Sequence, residues 1–299
     1  MSFLQRSNDR TLPVDFAGDV FVWDIDKTYL DTHFSSLRGL LAIPFEWAVD
    51  KRALPGTVPL LRALRHGPGP QSALSPLYFV SGSPPQLRTV VEKKMLLDGV
   101  QPDGITFKDQ WGLVKARTPQ AIVEQVGYKL KALLLYRKEL PQGARWFLFG
   151  DDSERDLDAF LTFGQICAGL RGPALAERLM ALGCWRPDVD KVVTLADATP
   201  VVDDPVLRVF IHEVRGHPRL GSQSALSRDP RVVKAPSFLE HALVLRQMGR
   251  IRAADVRAVL QDVVRAGVDT GPLLADAQER LGVAPEWVAE LREGAAASG

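Results

Sequence analysis

Short apolar runs that end in carboxylates or hydroxyls, each followed by a helical pattern, restrict this chain more than any other feature of its sequence. Asp19-Val-Phe-Val-Trp-Asp24 is β-branched and aromatic and stops at an acidic residue, which reads as a buried strand ending at a functional edge. Leu77-Tyr-Phe-Val80 ends in Ser81-Gly-Ser-Pro-Pro, and two further runs follow at Gly104–Phe107 and Trp146–Phe149. The last runs into Gly150-Asp-Asp-Ser-Glu-Arg-Asp156. Ser83-Pro84 and Thr118-Pro119 place a cap and a proline at helix starts, the second opening a helix to about Glu139. Strands alternating with helices predict right-handed βαβ crossovers, hence a three-layer α/β domain with a mainly parallel sheet. Ligands of such sheets bind beyond the carboxyl ends of the strands.

The pattern weakens after about residue 170, with strands expected at Lys191–Leu195 and Val206–Ile211 and the far edge of the sheet left open. Residues 218–236 are rich in Ser, Gly, Pro and Arg and read as a linker or long loop. From Ser237 the chain reads as helices: Ser237-Phe-Leu-Glu240 fits a capping box, and Thr270-Gly-Pro272 and Ala284-Pro285 suggest further starts. The organisation expected is a catalytic domain over residues 1–217 with a small cap at 29–54, a loop at 218–236 and a helical segment at 237–299.

Lys plus Arg number 37 against 36 Asp plus Glu, so no global basic field argues for nucleic acid. Two cysteines, Cys167 and Cys184, are too few for a disulfide framework; they are expected buried and inert, in a reducing cytoplasm. The N-terminus carries charges where a signal peptide needs apolar residues, and no later run approaches a membrane span. Peripheral contact with lipid stays open. Trp23 and Trp146 read as core residues.

Asp24 and Asp26, two apart at a strand end, can face one concave site if the chain turns there. Paired carboxylates call for a hard divalent cation such as Mg2+. Asp24 is then a nucleophile toward phosphorus, giving an aspartyl phosphate, and Asp26 the acid and base that serves leaving oxygen and water in turn. Thr28 is expected to hold the loop and orient Asp26. Ser81 and the amide of Gly82 are phosphate donors ahead of a helix N-terminus. Lys129 supplies positive charge, with Lys108 and Lys131 as competitors for that place. Asp151 is a third metal carboxylate, and Asp156 fixes Lys129 or a metal-bound water.

Asp-x-Asp-x-Thr, a strand ending in Ser, a helical Lys and Gly-Asp-x-x-x-x-Asp together resemble the four motifs of the haloacid dehalogenase (HAD) superfamily. Asp24-Ile-Asp-Lys-Thr28, Arg52-Ala-Leu-Pro-Gly56, Tyr78–Leu87, Tyr128-Lys-Leu-Lys131 with Gly150–Asp156, and Gly99–Lys108 resemble the actin-patch phosphatidate phosphatase family more narrowly. The resemblance covers roughly residues 19–165. It implies a Rossmann-like HAD fold, metal ligation by Asp24, the Asp26 carbonyl and Asp151, and a phosphatidate-like lipid as substrate. Phosphatases of small metabolites or nucleotides, and an idle interaction module, are the competing readings. Lys27 departs from the family, standing where another acidic residue is usual, and so does Gly82-Ser-Pro-Pro.

Plainer readings apply elsewhere. Asp152 and Asp158 read as surface or helix N-terminal charges. His212-Glu-Val-Arg-Gly-His217 has its histidines five apart, whereas the helical zinc motif needs four. Arg246, Arg250, Arg252 and Arg257 lie at helical spacing among apolar residues and read as the solvent side of helices packed on the catalytic domain, with lipid docking as the alternative.

Overall fold

The computed structural model describes residues 4–31, 52–108, 125–214 and 228–296. Within them a seven-stranded sheet has the order β1-β4-β3-β2-β5-β6-β7, with β1 Leu4–Asn8, β2 Asp19–Asp24, β3 Leu77–Ser81, β4 Gly104–Lys108, β5 Arg145–Asp151, β6 Val206–His212 and β7 Val232–Ala235. All neighbours run parallel except β1, which is antiparallel to β4. The mainly parallel α/β fold expected from the strand-helix alternation is therefore the fold observed.

Period-two alternation sorts the strands' side chains between two layers. Phe21, Trp23, Phe79, Phe147, Phe149 and Phe210 point to one face, and Val20, Val22, Tyr78, Val80, Leu148 and Val209 to the other. The first face is covered by α1 (Thr57–His66), α2 (Arg88–Leu97) and the C-terminal helices α7 (Phe238–Gln247), α8 (Ala253–Arg265), α9 (Thr270–Glu279) and α10 (Pro285–Ala296). The second lies under α3 (Val126–Glu139), α4 (Asp156–Cys167), α5 (Gly172–Ala181) and α6 (Arg186–Asp197). The C-terminal helices thus share one apolar cluster with the central strands. Across β2, β5 and β6, Trp23 stacks on Phe149 at 4.1 Å and Phe149 on Phe210 at 4.7 Å, with Phe238 of α7 5.7 Å from Trp23; each such pair adds about 1 kcal/mol beyond its burial. Trp146 is also fully buried.

Three local features differ from expectation. Lys191–Leu195 is not a strand but part of α6. Val189, Val192 and Ala196 are its buried residues, and that spacing of three and four turns one face inward whatever the β-propensity of valine. Val232–Ala235, inside the stretch read as a linker, forms β7. β1 gave no signal because Gln5, Arg6 and Ser7 do not alternate with apolar residues; it is held instead by its ladder and by Arg6 on Glu139 at 2.7 Å. Beneath it Gly104 is needed, since a Cβ there would lie 2.6 Å from the Ser7 carbonyl.

Thr118-Pro119 and most of the expected cap lie outside the described residues. The base of that insertion is described: Asp31 N donates to Arg52 O at 2.9 Å and Leu54 N to Tyr29 O at 3.0 Å, so the chain leaves and returns beside Asp26. No described helix is long and apolar enough to cross a membrane.

Candidate functional site

The chain progresses outward from β2 to β3 and β4 on one side, and through β5, β6 and β7 on the other. The crevice at such a reversal, beyond the strands' carboxyl ends, is the natural binding place of an open α/β sheet. Asp24 ends β2, Ser81 ends β3 and Asp151 ends β5, so the register of three adjacent strands delivers all three to that crevice.

Lys129, near the start of α3, reaches the same point. Its Nζ lies 2.8 Å from Asp24 Oδ1 and 3.3 Å from Glu154 Oε2, and it pairs with Asp156 as well. The competing lysines go elsewhere: Lys131 Nζ pairs with Asp188 at 2.6 Å, and Lys108 Nζ sits over the Tyr128 ring at 5.5 Å. Burial opposes the charge of Lys129, but Asp156, Asp24 and Glu154 outweigh it and hold its pKa well above the usual value. Burial pushes the Asp24 carboxyl up; Lys129 opposes this, while Asp156, Glu154 and Asp151 add to it. Asp151 is raised by burial and by the Asp156 and Glu154 charges.

Asp24, Asp151 and Asp156 each offer a carboxylate oxygen within 4.8 Å of the others, a group that could hold a metal ion. Their bonding separates them. Asp156 accepts from the Asp151 amide at 3.0 Å besides pairing with Lys129, whereas Asp24 Oδ2 and Asp151 Oδ2 are buried without a hydrogen-bond partner among the described residues. Buried carboxylate oxygens left without donors suit a hard cation. Gly150 is fixed by the same packing, because a Cβ there would fall 2.2 Å from Asp156 Oδ2.

The Asp26 side chain is held differently from expectation. Ser81 Oγ donates to its Oδ2 at 3.0 Å, and Ser83 Oγ lies 3.0 and 2.9 Å from its two oxygens. Thr28, expected to orient Asp26, is fully buried and its hydroxyl has no hydrogen-bond partner among the described residues. The loop turns back on itself there, with Tyr29 N and Leu30 N both donating to Ile25 O, at 3.0 and 2.9 Å. A Cβ on Gly82 would meet Gln125 Oε1 at 2.7 Å, so a larger residue there would displace the end of that side chain.

Ser83, Ser153, Glu154 and His212 were not singled out in the sequence as site residues. Ser83 and Glu154 sit inside motifs already read as functional, and their proximity to Ser81 and Asp151 was an available signal. Lys27 Nζ meets Ser153 Oγ at 3.1 Å, and Ser153 N donates to Asp151 Oδ1 at 2.6 Å, which joins the two acidic loops. His212 comes from 185 residues away to face the Lys27 carbonyl at 3.0 Å, and no local pattern announces such a contact. His217 lies outside the described residues.

Asp152 and Asp158 are not surface charges. Asp152 is buried and accepts from Val214 N at 2.9 Å, and Asp158 is buried against Arg155 at 3.0 Å, although it does stand in the first turn of α4. Of the tail arginines, Arg246 and Arg257 tie α7 and α8 to α10 by meeting Glu290 at 2.9 and 2.6 Å, Arg250 meets Asp19 on β2, and Arg252 meets Asp255 in the first turn of α8 itself. Cys167 and Cys184 are buried and form no disulfide.

No curated protein and no solved structure matches the chain. Asp24, Asp26, Ser81, Lys129, Asp151 and Asp156 all fall within residues 20–167, the segment that matches the HAD-like family described as phosphatidate phosphatase APP1, catalytic domain.

Proposed function

We propose that this chain is a Mg2+-dependent phosphatase that hydrolyses a phosphatidate-like phosphomonoester through an aspartyl phosphate on Asp24. The observation that carries the reading is Asp24 itself, a buried carboxylate 2.8 Å from the Lys129 ammonium, with one oxygen free of hydrogen bonds. Asp24 attacks phosphorus as the bond to the leaving alkoxide breaks, and Asp26 gives that oxygen its proton. Asp26 then takes a proton from the water whose oxygen displaces Asp24, releasing inorganic phosphate. The hydroxyl of Ser83 keeps Asp26 in reach of both oxygens, with that of Ser81 beside it until phosphate binds, and Lys129 offsets the charge that builds on the transferring group. Ser81 and the Gly82 amide would exchange their present partners for phosphate oxygens. Asp24 and Asp151, with the Asp26 carbonyl, would hold Mg2+, which supplies positive charge shared by nucleophile and phosphate.

The family match and a short insertion between residues 31 and 52 favour a bulky substrate over a small metabolite. Phosphate release from phosphatidate vesicles and from a panel of soluble sugar and nucleoside phosphates, with Mg2+ or EDTA, tests this. The expected result is Mg2+-dependent release, greatest from phosphatidate and reduced at least about 10³-fold in Asp24→Asn. Activity that survives Asp24→Asn overturns the nucleophile, and a preference for sugar phosphates overturns the lipid.

A further inference from the structure

We infer that His212, on a strand beyond the family-matched segment, is a positioning residue that holds the nucleophile loop in its working shape. The inference rests on the proposed role of Asp24 and Asp26. The loop after β2 is closed on itself by Lys27 N to Leu30 O at 2.8 Å and by the two amides on Ile25 O. At its tip Lys27 has φ of 57°, a left-handed conformation that an L side chain adopts only when its surroundings impose it. The Lys27 carbonyl faces His212 Nδ1 at 3.0 Å. A carbonyl only accepts, so this is a bond that Nδ1 donates, and the ring also bonds the Pro236 backbone.

His212 is well placed for this. It ends β6 opposite Asp151 in the ladder, its carbonyl accepts from Asp152 N at 3.1 Å, and Asp152 Oδ1 in turn accepts from Val214 N. Its ring lies on Phe238, the first residue of α7, at 5.2 Å. A rigid strand end therefore touches both acidic loops, with its backbone on Asp152 and its ring on Lys27. Asp26 precedes the residue so held, and a shift of about 1 Å at a reacting group can cost on the order of a hundredfold in rate. The C-terminal part of the chain thereby contributes to the geometry of a reaction whose chemical groups all lie in residues 20–167.

Two variants separate positioning from packing. His212→Phe keeps a flat ring to stack on Phe238 and loses the donor, while His212→Asn places an amide N–H where Nδ1 stands. The expected result with phosphatidate and an aryl phosphate is that His212→Phe lowers kcat about tenfold or more with KM within about twofold, and that His212→Asn recovers most of the loss. Hydrogen exchange supplies a readout independent of turnover: the amides of Lys27, Tyr29 and Leu30 exchange faster in His212→Phe than in the native chain and regain protection in His212→Asn. Unchanged exchange and kcat in His212→Phe, or equal losses in both variants, overturn the inference. A native chain inactive on every phosphate defeats the proposed function instead, and the exchange data still decide the tether.

Discussion

Among the described residues a group of buried carboxylates contrasts with a lone buried carboxylate, and only the first has the makings of a reactive site. Asp24 and Asp151 stand at strand ends and Asp156 begins a helix, all around Lys129. Glu240 stands alone on α7 in the layer beneath the sheet, fully buried, with neither oxygen in a well-formed hydrogen bond among the described residues. Burial raises Asp24 and Glu240 alike, so a raised pKa does not by itself mark a site. What distinguishes the first cluster is a buried cation, two carboxylate oxygens without donors and adjoining loops that position an acid. Glu240 has Asp276 as a neighbour, which strengthens the neutral form instead of offering charge.

The sharpest way to break this contrast is to remove the cation. Lys129→Met is expected to lower kcat about 10²- to 10³-fold, because the transferring group then develops charge with no ammonium to meet it. Lys131→Met, which removes a lysine paired with Asp188 on the same helix, should keep kcat within about threefold and lose stability instead. Steady-state kinetics on the two variants decides between them. Equal activity losses would mean that helix integrity, not the placed charge, separates the two.

A smaller effect is expected at Asp26. Ser83→Ala removes one of two hydroxyls that hold its carboxylate, and Ser81 remains. A loss of about tenfold in kcat with little change in KM is expected. No change in kcat would assign the positioning of Asp26 to Ser81 alone.

The cluster proposed to be catalytic was largely legible in the sequence because its members end strands or begin helices, where local pattern and position coincide. Asp24, Ser81 and Asp151 were placed by the apolar runs before them. Lys129 could not be separated from Lys108 and Lys131 by pattern, since helix faces are assigned by packing and α3 is buried on nearly every side. Asp158 does stand in the first turn of its helix, as one of its two readings had it, but is buried against Arg155 three residues before it. Asp152 was misread as a surface charge because its partner, Val214 N, becomes a neighbour only in the folded chain. His212 and the polar strand β1 were illegible for the same reason. Both are defined by pairing across the sheet, which leaves no periodic trace.

The smallest effect on activity, and the clearest on stability, belongs to Glu240. Burial, reinforced by the Asp276 carboxylate, raises its pKa from 4.5 to about 9. Asp276 is itself held low by Arg280, so it stays ionised and can accept the proton that Glu240 retains. The sign follows from linkage. Below pH 4.5 Glu240 is protonated in both folded and unfolded chains and costs nothing. As pH rises from 4.5 toward 9 the unfolded chain releases this proton while the folded chain keeps it, so stability is lost progressively, on the order of 3 kcal/mol by pH 7. Glu240→Gln cannot ionise in either state, yet its amide can still donate to Asp276. Thermal denaturation of this variant is expected to vary less between pH 5 and pH 8 than that of the native chain, with the difference in Tm shifting in the variant's favour by about 5 °C over that range. Its kcat should stay within about twofold of native at every pH. A parallel offset at both pH values would show that Glu240 ionises normally in the folded chain. A lost kcat would join the two, because the carboxyl beneath the sheet would then be acting on the chemistry above it.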